Sequence, residues 1–282
     1  MSRRLLVLVA LLSMDAHAQW LNFPTPNTPR ARDGKPNLAA PAPRASGGKP
    51  DLSGVWLHEH TSLAEMKRLF GAITDSREKV NVPGMEADSI SKYALDLLVD
   101  FRPAEEALLR PEGLQALRNE FHGDPADVCT GAAGVPLAGL LSEPFKIVQS
   151  PRLTVILYEA DDTHRQIYTD GRGLPKEIVQ PAWMGYSVGH WERDTLVVES
   201  AGFNDKTTLD MAGHRHSEDL RITERYHRTN FGHLEIETTF DDPRTYTKPF
   251  TVKLAYNLLA DSDIFENFCN ENEKDRAHLG KN

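Results

Sequence analysis

The run 211–228, MAGHRHSEDLRITERYHR, crowds histidine, arginine and carboxylate side chains into a stretch that turns into an alternating β pattern. In an extended chain, residues two apart share a face. Leu220, Ile222, Glu224 and Tyr226 share one, and Arg221, Thr223, Arg225 and His227 the other. If the apolar pair turns inward, Glu224 and Tyr226 follow it. Burial is costly for an unpaired carboxylate and raises its pKa, which suits a general acid or base with Tyr226 as its hydrogen-bonding neighbour. The same placement suits a Glu–Arg pair at the mouth of the fold, with Tyr226 filling space.

HRQIYTDGR, residues 164–172, alternates in the same way: His164, Gln166 and Tyr168 on one face, Arg165, Ile167 and Thr169 on the other. Arg165 is expected either to turn inward, binding an anionic group or pairing with Glu224, or to lie on the surface as most arginines do. Catalytic candidates are thus Glu224, Tyr226 and Arg165. His214-x-His216 puts two imidazoles on one side of an extended segment, a spacing used in metal sites. A third ligand would come from Asp210, His190 or Glu224, and His58-x-His60 forms a second such pair. A divalent metal at His214 and His216 is one expectation, and a loop whose side chains bond nearby backbone is the other. Tyr168, Trp183 and Tyr186 are candidate ligand contacts, because aromatics at a barrel mouth meet flat or sugar-like molecules. They also suit core packing. The chain has no phosphate-cradling glycine loop, serine nucleophile elbow or HExxH helix.

The elements that must position these groups fall into two regions. SLAEMKRLFGAI, ADSISKYALDLLVDF and AEEALLRPEGLQALRNEF, within 62–121, space apolar residues by three and four and predict three short helices. From Pro144 onward the period becomes two, predicting strands at Phe145–Gln149, Leu153–Glu159, Arg165–Thr169, Tyr186–Trp191, Thr195–Ser200, Leu220–Arg228, His233–Phe240, Thr251–Leu259 and Ile264–Cys269. With Val55–His58 that is about ten strands, several joined by short turns such as SPR, ERD and TNFG. The fold class is mainly β. An antiparallel meander closed into a barrel removes exposed edges, with the helical insertion following the first strand and capping one end. A sandwich is the second choice.

Residues 1–18 have a basic start, an apolar run and an Ala16-His17-Ala18 cleavage motif, the pattern of a signal peptide, so the protein is expected to be periplasmic or secreted. Residues 19–47 are Pro/Ala/Gly-rich and read as an extended or mobile leader, in which DGKPNLAAP is echoed by GGKPDLSGVW. Residues 48–282 form one barrel domain. No later segment is apolar enough to span a membrane. The formal charge of −9 argues against nucleic acid or an anionic membrane as partner and is neutral toward a small molecule. In an oxidising compartment, Cys129 and Cys269 are expected to form a disulfide.

PDLSGVW, FKIVQSPRLTVILYEADDTHRQIYTDGR, WMGYSVGHWERDTLVVESAGFNDKTTLDMAGHRHSEDLRITERY, DDPRTYTKPF and FCNENEKD together resemble a family of uncharacterised secreted bacterial proteins with the pattern PDLSGxW…QIYTDGR…GYSVGxWExDTLVVET…CNEN. The resemblance covers about residue 48 to the C-terminus. It implies export and a lipocalin-like β-barrel, and it transfers no catalytic residue. CTGAAGVP replaces the family's Cys-x-Pro-Pro-Gly-x-Pro, which alters the local turn. Two functions follow: an exported acid–base enzyme (lyase, isomerase or hydrolase) acting on a small organic or glycosidic substrate inside the barrel, or a non-catalytic carrier or sequestering protein for an apolar ligand.

Overall fold

A computed structural model of the chain describes residues 24–71, 91–118 and 132–267. Nine strands close into one lipocalin-like barrel: β1 Gly54–His58, β2 Phe145–Gln149, β3 Leu153–Tyr158, β4 His164–Tyr168, β5 Tyr186–Glu192, β6 Thr195–Ala201, β7 Arg221–Asn230, β8 His233–Asp241 and β9 Phe250–Leu258. β1 pairs with β9 to shut the cylinder, so no edge strand is left open. The expected tenth strand is corrected: the described part of Ile264–Cys269 is not a strand. The meander also has one interruption. β4 and β5 run parallel, paired only at Ile167↔Ser187 and Tyr168↔Val188. The connection between them, 169–185, contains Pro175 and Pro181 and is far too long for a hairpin, so it carries the chain back before β5 starts.

The helical insertion follows β1 as expected, in shorter pieces. α1 (Leu63–Phe70) opens on Ser62, whose hydroxyl accepts from Glu65 N at 3.3 Å, and stops at Gly71 with φ +57°. α2 (Lys92–Leu95) is cut off at Asp96, whose carboxylate accepts the Leu98 N–H and competes with further helix. The third predicted helix divides at Pro111. A 3-10 turn covers Glu105–Leu108, and Pro111, tolerated only in a first turn, begins α3 (Pro111–Arg118).

Inward positions on β1 to β4, β6 and β7 supply Trp56, Ile147, Ile156, Ile167, Val198 and Ile222, all essentially inaccessible. At the end where β1 begins, Trp56 donates Nε1–H to Leu52 O at 3.0 Å. Its ring lies 4.9 Å from the Arg228 guanidinium, which also sits 5.0 Å from the Phe231 ring. The leader is fixed from Pro24 onward and repeats one device. In PRARDGKPN (29–37) and PRASGGKPD (43–51) each arginine bonds the carbonyl of the turn glycine, Gly34 or Gly48, at 3.1 Å. The same guanidinium then grips one barrel aspartate, Arg30 on Asp261 and Arg44 on Asp194. The echo in the sequence is thus a pair of clasps, and the described leader is not a loose linker.

The expected disulfide is withdrawn: no disulfide occurs among the described residues, and Cys129 and Cys269 both lie outside them, as does the 1–18 signal segment. Among the described residues no helix is long and apolar enough to cross a membrane.

Gly185, with φ +61°, turns the chain into β5, and a Cβ there would stand 2.8 Å from the Phe203 ring. Gly171, with φ +89°, faces open space. Gly185→Ala should therefore lower unfolding free energy by about 2–4 kcal/mol in urea titration, and Gly171→Ala by only about 1 kcal/mol, the cost of the backbone conformation alone. Equal losses would show that the ring contact is not constraining.

Candidate functional site

The two halves of the predicted catalytic set meet inside the barrel. Arg165 points inward from β4 and Glu224 from β7, and both are buried. Arg165 Nη1 donates to Glu224 Oε1 at 3.1 Å, and Nη2 donates to Glu224 Oε2. Nη2 also donates to Ser200 Oγ at 2.7 Å and Nε to Ser187 Oγ at 3.0 Å, while Ser200 Oγ donates to Ser187 Oγ at 2.9 Å. Tyr226 OH donates to Glu224 Oε1 at 2.9 Å. The guanidinium stays charged: burial acts to lower its pKa, but the facing carboxylate more than compensates and raises it. The alternation in ITERY placed Glu224 and Tyr226 correctly, and of the two alternatives for Arg165 the inward one holds.

Beyond Glu224 and Tyr226 lies a small cavity of about 20 Å³ among buried residues, bordered also by Tyr158, Tyr256 and Ile236. That is room for about one water molecule. Its roof is the segment 132–141, where Ala133 to Leu140 are all buried and a 3-10 turn spans Leu137–Gly139. Burial pushes the Tyr158 phenol up to about 12, with Arg165 opposing, and raises Tyr226 and Tyr256 well above the usual range. All three phenols therefore keep their protons; that of Tyr226 is given to Glu224, and those of Tyr158 and Tyr256 are the donors toward whatever enters. Tyr158 and Tyr256 were missed from sequence, although each alternates in phase with an inward apolar neighbour, Ile156 and Leu254.

A second buried centre lies where the insertion meets the β6–β7 loop. Asp96, Asp210 and His214 bring one donor atom each within 4.8 Å of one another, a cluster compatible with a divalent metal. His214 Nδ1 lies 2.6 Å from Asp210 Oδ2. His214 Nε2 stands 3.3 Å from Glu105 Oε1, an ion-pair distance without hydrogen-bond geometry. Burial acts to lower the imidazole pKa, but Asp210 and Glu105 outweigh it and hold His214 up at about 10. Arg102 donates to both Asp96 and Glu105. Asp210 also accepts the N–H groups of Leu97, Gly213 and His214. Two carboxylates and an imidazole are ordinary ligands for zinc or manganese, provided the metal displaces the imidazole proton.

His216 is corrected as a partner in that site. Its Nε2 lies 2.9 Å from Thr207 Oγ1 and its Nδ1 3.1 Å from Ser217 O, with Phe203 edge-on, so the two imidazoles diverge. Asp210, one of the three proposed third ligands, is in the cluster. His190 lies at the surface beside Glu192, and Glu224 is held by Arg165. His58 and His60 have rings 5.4 Å apart. His58 is buried and its Nε2 has no hydrogen-bond partner, whereas His60 is exposed. Asp96, Arg102 and Glu105 escaped sequence reasoning because they are more than 100 residues from His214 and join it only through the fold.

Tyr168 and Tyr186 come together, but on the outer wall. Their rings stack 5.3 Å apart, and the Arg172 guanidinium lies 3.9 Å from Tyr168 while donating to Tyr186 OH. Trp183 is half-buried with Lys206 Nζ 5.6 Å from its ring. None of the three borders the interior cavity. No family model, curated protein or solved structure matches the chain.

Two outcomes follow from the geometry of the buried charges. Arg165→Met strands a carboxylate in the core and should cost about 3–5 kcal/mol in urea titration, whereas the double change Arg165→Met/Glu224→Leu should recover most of that loss. A double variant as unstable as the single one would mean that the pair itself, and not the orphaned charge, carries the stability. His58 is held down at about 4 by burial. A depressed folded pKa adds stability that is complete above the unfolded value, about 6.5, and fades as pH falls toward 4. Between pH 7 and pH 4 the wild type should thus lose roughly 2–3 kcal/mol more than His58→Gln, measured as the difference of their urea midpoints.

Proposed function

We propose that the protein is an exported barrel that binds a small organic molecule in its interior, under the 132–141 roof, and works on it by acid–base chemistry at Glu224. The observation that carries this reading is that Glu224 and three protonated phenols, Tyr158, Tyr226 and Tyr256, border one small cavity otherwise walled by apolar side chains. The phenol donors of Tyr158 and Tyr256 beside apolar walls suit a carbonyl or developing oxyanion on an apolar body. The signal-like residues 1–18 and the resemblance to secreted proteins support export.

Binding precedes any chemistry here, and the structure's closed form fits the resting state. Both Glu224 oxygens are engaged by Arg165, and Oε1 also by Tyr226. For Glu224 to take a proton, an incoming polar group must draw Tyr226 away and the roof must lift to admit it. Arg165 then orients the carboxylate and supports negative charge, while Tyr158 and Tyr256 receive the substrate oxygen. A carrier uses the same cavity without the proton transfer. The engaged state of both carboxylate oxygens is what favours that second reading.

Gly139 sits in the roof, and a Cβ there would meet Tyr256 OH, Phe145 and Tyr158 at 3.6–3.7 Å. Gly139→Ala therefore fits, and Gly139→Leu fills the cavity. Native mass spectrometry of protein recovered from an exporting host should show an organic adduct in the wild type and in Gly139→Ala, and none in Gly139→Leu. With the adduct identified and resupplied, Glu224→Gln should keep the binding and lose conversion if the protein is an enzyme. A bare wild-type mass, or an adduct that survives Gly139→Leu, would sink the interior site.

A further inference from the structure

A cleft of about 440 Å³ runs along the outside of the barrel where β1 begins and β9 ends, a volume in the range of small-molecule sites. Val55, Val148, Phe231, Leu258 and Leu259 make its lining largely apolar. One rim is the leader at Thr25–Asn27, which is tied down to the turn after β9: Thr25 N donates to Asp261 Oδ1 at 2.8 Å, and Asp261 N donates to Thr25 Oγ1 at 3.0 Å. The first arginine clasp, Arg30 on the same Asp261, holds this strap in place.

Two cations line the cleft, and they differ. Lys146 bonds Asp263 at 2.7 and 2.9 Å and is balanced. Arg228 is 3 % exposed and forms no ion pair among the described residues. Nε donates to the carbonyls of Asn230 and Phe231, Nη1 to those of Asp51 and Ser53, and Nη2 to that of Phe231. One Nη2 hydrogen is left over from the five that a guanidinium carries. Asp51, whose backbone carbonyl accepts from Arg228, turns its Oδ1 to the Ser53 N–H instead. Burial accordingly lowers the Arg228 pKa to about 10, with Asp51 opposing only in part. Backbone carbonyls take four of the five N–H groups and two aromatic rings lie against the guanidinium, which leaves the positive charge without a carboxylate among the described residues, in a low-dielectric place where an anion is worth more than in water.

We propose that this cleft is a second binding site, for a small apolar carboxylic acid whose chain lies along Val55, Val148 and Leu258 and whose carboxylate answers Arg228, with the Thr25–Asn27 strap at its rim. It is independent of the interior cavity, with which it shares no lining residue.

Isothermal titration calorimetry of the full chain with sodium decanoate, below micelle concentration, tests this. Decanoate should bind at least about tenfold more tightly than 1-decanol, since the guanidinium discriminates by charge. Arg228→Gln is unsuitable alone, because Arg228 also bridges four carbonyls and its loss disturbs the fold together with the site; Val148 is 45 % exposed and serves instead. Val148→Asp puts a like charge in the lining and should weaken decanoate at least about tenfold with an unchanged melting curve. Gly139→Leu should leave decanoate binding intact, which separates this site from the interior one. No binding heat, equal affinity for decanoate and decanol, or a Val148→Asp variant that binds like wild type would each overturn the proposal.

Discussion

One side chain holds the barrel at its weakest seam. Among the described strands β4 and β5 are the only parallel neighbours, and their ladder is two residue pairs long. Arg165 leaves β4 just before that ladder and reaches Ser187 on β5, Ser200 on β6 and Glu224 on β7. Four strands are thus joined by one guanidinium where backbone hydrogen bonding is thinnest. A buried arginine is tolerable only when its charge and N–H groups are answered together, so the pair also specifies register. A one-residue slip of β7 would send Glu224 to solvent and leave Arg165 unanswered. Replacing the pair by apolar groups need not cost stability, which makes alignment its clearer contribution.

That constraint shapes the candidate site. Because Arg165 and Tyr226 occupy Glu224, the carboxylate faces the cavity already committed to partners, and the open donors are the phenols of Tyr158 and Tyr256. Across from Glu224 on β8, Thr238 is buried with no hydrogen-bond partner for its hydroxyl. The polar patch thus runs out within one strand of its centre. A guest that brought an acceptor into this space would meet donors before it met a base. This ordering is why binding is the firmer part of the functional reading and proton transfer its second step.

Much of this was legible from side-chain alternation. ITERY and HRQIY each put one charged residue in phase with isoleucine, and a residue in phase with a barrel's inward apolar set has nowhere else to point. The hairpins followed from their turns for the same local reason. Legibility ended where partners are distant in sequence. The period-two pattern around β4 and β5 is the same whether the strands run parallel or antiparallel, so the seam was invisible. His214-x-His216 failed as a pair because the loop turns between them: Leu209 N donates to His214 O, and Tyr246 OH to Arg215 O, which aim the two rings apart. Asp96 looked like one more polar residue on a helix, yet its side chain ends that helix and then enters the buried cluster.

The same cluster shows why a metal suits a place that is already hydrogen-bonded. Asp96, Asp210 and Glu105 bring three negative charges, and Arg102 with protonated His214 return two positive ones. The remaining negative charge is felt: burial raises the Asp96 pKa, and Glu105 pushes it further. A divalent cation replacing the His214 proton would bring two charges where one stood and leave the group neutral, with the imidazole nitrogen free to ligate. The insertion supplies Asp96, Arg102 and Glu105, and the β6–β7 loop supplies Asp210 and His214. Proton and metal would therefore fasten the same two parts of the fold, by different means. The Arg165 centre has no such slack, since its single positive charge meets a single negative one. The two buried centres divide the work accordingly: one aligns the strands with a closed charge balance, and the other joins insertion to barrel with a balance left open for a cation.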